Sequence, residues 1–192
     1  MKKITTTLAL MLISILSHAQ VFMGIHVSGP IASFTQQIRA KGFTLNLQES
    51  QGNIYVYNGT LSGTTVEVIA VTTPTSKVVK KVAVFYPIQE SWYSLKSDFT
   101  AISERIANKY GQPNDTYSFF ESPYEEGDGY EMTGVAVEKC FYLSVWKASA
   151  AYPNQTIAVR ITKAQRVSLV YENDALMEKS EIEQQKIDQS TY

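Results

Sequence analysis

The sequence predicts an α+β fold: an antiparallel sheet, or sheets, with amphipathic helices packed on one face. Three observations carry that expectation. Trp92, Leu95, Phe99, Ile102, Ile106 and Tyr110 recur at intervals of three and four, which sets one apolar stripe along a single helix. Segments on both sides of it alternate apolar and polar residues with period two, the pattern of half-buried strands. The connections between those segments are short and rich in Gly, Asn, Ser and Pro, so neighbouring strands run antiparallel.

Residues 1–19 read as an export signal. Lys2 and Lys3 supply the charged start, Leu8 to Leu16 the apolar stretch, and Ser17 and Ala19 the small residues before a cleavage site. The apolar stretch is too short to span a bilayer. Cleavage after Ala19 leaves Gln20 first. No cysteine lies near that position, which argues against a lipid anchor. No later stretch is apolar enough for a transmembrane anchor. The expected location is periplasmic or extracellular.

The elements follow in order. Val21 to His26 is short and apolar, a leading strand. Ile31, Phe34 and Ile38 keep helical spacing, with Pro30 at the first helical position and Gly42-Phe43 as a Schellman-like stop. Residues 54–58, 65–72 and 78–86 read as strands, with turn signals at Asn58-Gly59 and Ser62-Gly63. The central helix starts at the N-cap Ser91 and stops at Gly111, with Pro113 beyond. After it, 116–121, 130–137, 140–146, 156–162 and 166–172 read as extended, with Tyr152-Pro-Asn-Gln as a turn. Residues 173–192 have helical propensity but no apolar stripe, which predicts a polar, mostly solvated terminal helix or tail. Residues 20–172 thus form the α+β domain. Its order of helix and strands suggests two similar halves, 21–88 and 89–172.

Composition excludes several functions. Removing Lys2 and Lys3 from the 17 basic residues leaves 15 against 18 acidic, a formal charge of −3. That balance offers nothing to attract nucleic acid. Cys140 is the one cysteine, so no internal disulfide forms, and it reads first as a small buried hydrophobe. His26 is the one histidine past the signal. Phosphate-binding, dinucleotide-binding, hydrolase-elbow and zinc-protease motifs are all absent from the sequence. No cofactor and no metal is expected, and an enzyme is the less favoured class.

The most distinctive segment is 122–131, Ser-Pro-Tyr-Glu-Glu-Gly-Asp-Gly-Tyr-Glu. Glu125, Glu126, Asp128 and Glu131 place four carboxylates within seven residues, beside two glycines. Such a loop can be a solvated hairpin connection, a recognition surface, a Ca²⁺ loop or a carboxylate site for acid–base work. The EF-hand spacing is missing. Tyr55 and Tyr57 share one strand face, and rigid amphipathic rings of this kind either fill a core or bind sugars and peptides.

Several of these segments resemble a group of uncharacterised secreted proteins of Bacteroides-type bacteria. They are Phe22-Met-Gly-Ile, Lys41-Gly42-Phe43, Ser94-Leu95-Lys96 with Lys109-Tyr110-Gly111-Gln-Pro113, the 123–131 loop, Lys139-Cys140 and Val170-Tyr171-Glu172. The resemblance implies export and source and transfers no catalytic residue. In layout the chain is also similar to β-lactamase-inhibitor-like helix–sheet repeat proteins and small outer-membrane assembly lipoproteins, which act by binding proteins on a sheet surface. It departs from both in lacking disulfide cysteines and a lipobox. The expected function is a non-enzymatic exported binding module for a protein or envelope partner. The alternatives are a glycan-binding protein using Tyr55 and Tyr57, and a carboxylate enzyme.

Overall fold

The computed structural model describes residues 21–150 and 153–190; residues 1–20, where the leader is expected, residues 151–152 with the expected turn at Tyr152, and the last two residues lie outside them. A short hairpin, β1 (Val21–Phe22) and β2 (Ile25–His26), precedes helix α1 (Ile31–Ala40). Four strands follow: β3 (Thr44–Gln51), β4 (Ile54–Leu61), β5 (Thr64–Thr72) and β6 (Val79–Phe85). The long helix α2 (Trp92–Tyr110) leads into β7 (Asp115–Phe120), the short helix α3 (Glu131–Ala136), β8 (Cys140–Trp146), β9 (Gln155–Thr162), β10 (Arg166–Asn173) and helix α4 (Asp174–Ser190). All eight strands from β3 onward form one antiparallel sheet in the order β3-β4-β5-β6-β10-β9-β8-β7. The order is palindromic. α1 and α2 are each followed by strands that run inward from an edge, and the last of each set, β6 and β10, pair at the centre.

Local chemistry explains the elements. In α1 Pro30 is the N-cap, one residue earlier than its expected place, and Ile31 N–H donates to the Lys77 carbonyl at 3.0 Å. Gly42 turns the chain at φ 89°, with its N–H on Arg39 O and Phe43 N–H on Ile38 O. Those are the two bonds of the Schellman stop. In α2 the Ser91 hydroxyl accepts from Ser94 N–H, Gly111 ends the helix at φ 85°, and Leu95, Phe99, Ile102 and Ile106 are buried. Trp146 on β8 donates to the Gly111 carbonyl at 2.8 Å, fixing the helix end to the sheet.

α1 and α2 lie on the same face of the sheet. Phe34 of α1 meets Tyr57 of β4 edge to face, and Phe99 of α2 meets Tyr142 of β8 in the same way. The ladder Tyr57–Val68–Val84–Leu169–Val159–Ser144 connects the two strands on that face. The core is built here, from Val66, Val68, Val82, Val84, Ile157, Val159, Val167 and Leu169 under the helices.

Two local readings are corrected, and one strand that the sequence did not signal is added. The 130–137 segment is not extended: it contains α3, whose six residues follow the acidic loop. Strand β3 has no strong sequence signal, because an edge strand with mostly half-buried and exposed residues (Thr-Leu-Asn-Leu-Gln-Glu-Ser-Gln) needs little apolar surface. Asn58-Gly59 is not a turn. β4 runs through it, glycine is needed there because a Cβ at position 59 would fall on the Phe43 ring, and the reversal is made by Ser62 and Gly63 at φ 51° and 84°. No helix among the described residues is long and apolar enough to cross a membrane.

Candidate functional site

The acidic loop folds back on the protein. Glu126 receives three donors: Lys96 Nζ of α2, the Trp92 indole N–H at 3.3 Å and the Tyr142 hydroxyl at 2.7 Å. The Lys96 ammonium, then the Tyr142 hydroxyl, hold its carboxyl below the ordinary carboxylate range. Asp128 accepts from Glu125 N–H at 2.8 Å and Tyr130 N–H at 2.6 Å, and Glu131 accepts from Gly127 N–H at 2.8 Å. Three of the four carboxylates therefore satisfy backbone or side-chain donors of the loop and its support. Asx-type bonds of this kind are how Asp organises a tight loop. Glu125 contributes its N–H.

Behind the loop, Trp92 packs edge-on against Phe120 and Tyr142, each at 5.0 Å. Cys140 lies partly buried beside them, and burial, with a smaller push from the Glu126 charge, raises its thiol to about 12. It is a thiol, not a thiolate, at neutral pH. His26 is exposed on the leading hairpin. Among the described residues no group of three His, Cys, Asp or Glu side chains could hold a metal ion.

Tyr55 and Tyr57 do share a face, and it is the helix face. Tyr57 has no exposed surface; its hydroxyl bonds Thr35 Oγ1 of α1 at 2.7 Å. Tyr55 packs against the same core. Tyr57 therefore presents no ring face to solvent, and Tyr55 is half-buried.

The other sheet face carries a different surface, which no single sequence segment reveals. Register sets Ile69, Ala83, Val170, Ala158 and Val145 in one cross-strand row. The next row toward the β9–β10 turn runs Glu67, Phe85, Ser168, Arg160, Leu143 and Tyr117. Lys81 and Glu172 pair at 2.6 Å on one flank of the apolar row. On the other flank the Arg166 guanidinium lies 4.3 Å over the Phe85 ring and reaches Glu67 at 3.5 Å. A groove crosses this face, lined by Lys81, Leu143, Val145, Ala158, Arg160 and Val170 among others. Toward the β7 edge stand Tyr117, Phe119 and Phe141, each about 40–50% exposed. The face has apolar residues at its centre, of which Ala83 and Val170 are buried and Ile69, Ala158 and Val145 half-buried, with charges around them and aromatic rings at one end. Its signal in sequence was the period-two alternation of β8 and β9, read for its buried half alone; in β10 both faces are buried from Val167 to Tyr171.

Comparison with protein-family models, with curated proteins and with solved structures finds no match for this chain.

Proposed function

We propose that the chain is an exported, non-enzymatic binding module that engages a protein partner through the open sheet face. The observation that carries this is an apolar row in which half-buried Ile69, Ala158 and Val145 surround buried Ala83 and Val170, flanked by the Lys81–Glu172 and Arg166–Glu67 pairs. An apolar centre with a charged rim is the anatomy of a protein interface. The groove sets Leu143, Val145, Ala158 and Val170 beside Lys81, Arg160 and Glu172, a mix of apolar and charged groups that suits a protein surface. The helix–sheet layout resembles families that bind proteins on a sheet surface, and the reading agrees with that resemblance.

The carboxylates argue the same way. Glu126, Asp128 and Glu131 are committed to structural donors, so the acidic loop supports the domain instead of offering a pair for acid–base work. Export to the periplasm or beyond rests on the leader sequence and is tested by N-terminal sequencing of the mature protein, where Gln20 is expected first.

The binding reading is tested by placing a photo-crosslinking residue at Ala158 and, as control, at Thr100 on α2 in the living bacterium. A discrete protein adduct from position 158, absent from position 100 and lost when Val145→Asp is added, supports it. No adduct from position 158, or equal adducts from both positions, overturns it.

A further inference from the structure

We infer that the β7 edge of the sheet joins a second copy of this chain, strand to strand, about a two-fold axis at Ser118. The two edges of the sheet are built differently. At β3 the ladder is bulged between Asn46 and Gln51, and the Asn46 side chain accepts the Gln48 and Glu49 N–H groups. Those devices spoil an edge for strand addition. β7 has neither. Its register with β8 is continuous from Asp115 to Phe120, it contains no Pro, Gly or Lys, and Thr116 to Phe119 are exposed on four consecutive positions. An exposed, regular, aromatic-rich edge is a template for another strand.

The phase of the ladder fixes how the second strand would lie. Glu121 N–H donates to Lys139 O at 2.8 Å. In an antiparallel pair the hydrogen-bonded positions alternate. Residues 115, 117 and 119 therefore bond β8, and Thr116, Ser118 and Phe120 direct their N–H and C=O groups outward. Among the described residues nothing takes them. Only one two-fold register uses all three: Ser118 opposite Ser118 of the second copy, with Thr116 opposite Phe120 on either side. The neighbouring registers leave one of the three unpaired.

The same register is consistent with the side chains. Tyr117 falls opposite Phe119 of the second copy, on the face where Phe119 already stacks on Phe141 at 5.1 Å. Three exposed rings from each chain merge into one cluster. At each end Asp115 meets Glu121 of the second copy, flanked by Lys147 and Lys139, which already pair with them at 2.6 and 2.8 Å. The four charges sum to zero. This inference does not rest on the open-face reading above, whose apolar row lies on β5, β6, β10, β9 and β8.

The test uses the full chain. Sedimentation equilibrium over a range of concentrations reads the association directly, and twice the chain mass is expected. Phe119→Lys, which puts like charges near the axis, weakens association by about tenfold or more. Ser118→Cys in a Cys140→Ser background forms an intermolecular disulfide on mild oxidation, because Cα atoms in a hydrogen-bonded pair lie about 5.5 Å apart. Thr116→Cys does not, because its copies are offset by about 13 Å along the strands. Far-UV circular dichroism checks that each variant is folded. A monomer at every concentration overturns the inference. So does a dimer indifferent to Phe119→Lys, or one in which Thr116→Cys crosslinks as readily as Ser118→Cys.

Discussion

The Tyr142 hydroxyl donates a 2.7 Å hydrogen bond to the Glu126 carboxylate, joining the second strand from one sheet edge to the middle of the acidic loop. Tyr142 is 4% exposed, so its phenol has little water to turn to. Lys96 and Trp92 bring α2 to the same carboxylate. One loop residue thus ties helix, loop and sheet together, although its side chain is 43% exposed.

Glu126→Ala is expected to cost about 1–3 kcal/mol in chemical unfolding, the cost of leaving a buried hydroxyl without an acceptor. The exposed Lys96 pair adds little to that. A change within experimental error would mean the loop is not anchored through this contact.

Acid should loosen the same contact. The folded-state pKa of Glu126 is depressed, so its contribution is present above its ordinary value of 4.5 and is lost as pH falls below it. Stability measured from pH 6 downward should fall less steeply in Glu126→Gln than in the unsubstituted chain. Parallel curves would assign the acid response to other carboxylates.

The terminal helix should respond to acid in its own way. Glu183 of α4 accepts from Thr75 N–H at 2.8 Å, Ser76 N–H at 3.1 Å and Ser76 Oγ at 2.7 Å, and these bonds, led by the Ser76 hydroxyl, lower its pKa from 4.5 to about 2. Docking supported by the ionised form holds above pH 4.5 and fades as pH falls toward 2. Hydrogen exchange in residues 174–190 should therefore rise over that interval, and Glu183→Gln should raise it already at neutral pH. Equal exchange in the two proteins at neutral pH would show that Lys80–Ser180 and packing hold the helix without Glu183.

Ile102→Ala is expected to cost about 2–5 kcal/mol, since the side chain is 4% exposed and sits in the α2 stripe above the sheet. A loss under about 1 kcal/mol would mean that the helix packs loosely and the site collapses around the smaller residue.

Gly59→Ala is expected to destabilise by about 1–3 kcal/mol, through collision with the Phe43 ring. In a Phe43→Leu background the same substitution should cost clearly less, a coupling that a double-mutant cycle reads. Additive losses would place the strain elsewhere.

Much of this was legible in the chain. The α2 stripe, its Ser91 cap and its Gly111 stop are local facts, set by periodicity and by backbone bonds within a turn, and the structure reproduces them. The Schellman stop at Gly42-Phe43 is of the same kind. α3 was harder. Glu131 to Ala136 offers one turn and a half, too little for a helical period to emerge against Val135 and Val137. Tyr55 and Tyr57 share a face as spacing requires, but spacing has no sign: period two cannot say which face meets the helices.

By itself the sequence determined where each α1 and α2 turn begins and ends, which residues seek burial, and the α+β class, because those depend on neighbours within a few positions. The tertiary structure alone decided what the surfaces are. It drew Glu126 into the Trp92–Lys96–Tyr142 contact, closed Tyr57 beneath α1, and set Ala83, Val170, Ala158 and Val145 side by side. Those four residues come from four strands more than sixty positions apart in places. Only the register of the sheet brings them together, and register is fixed by the sum of all the cross-strand pairings, which no local stretch of chain contains.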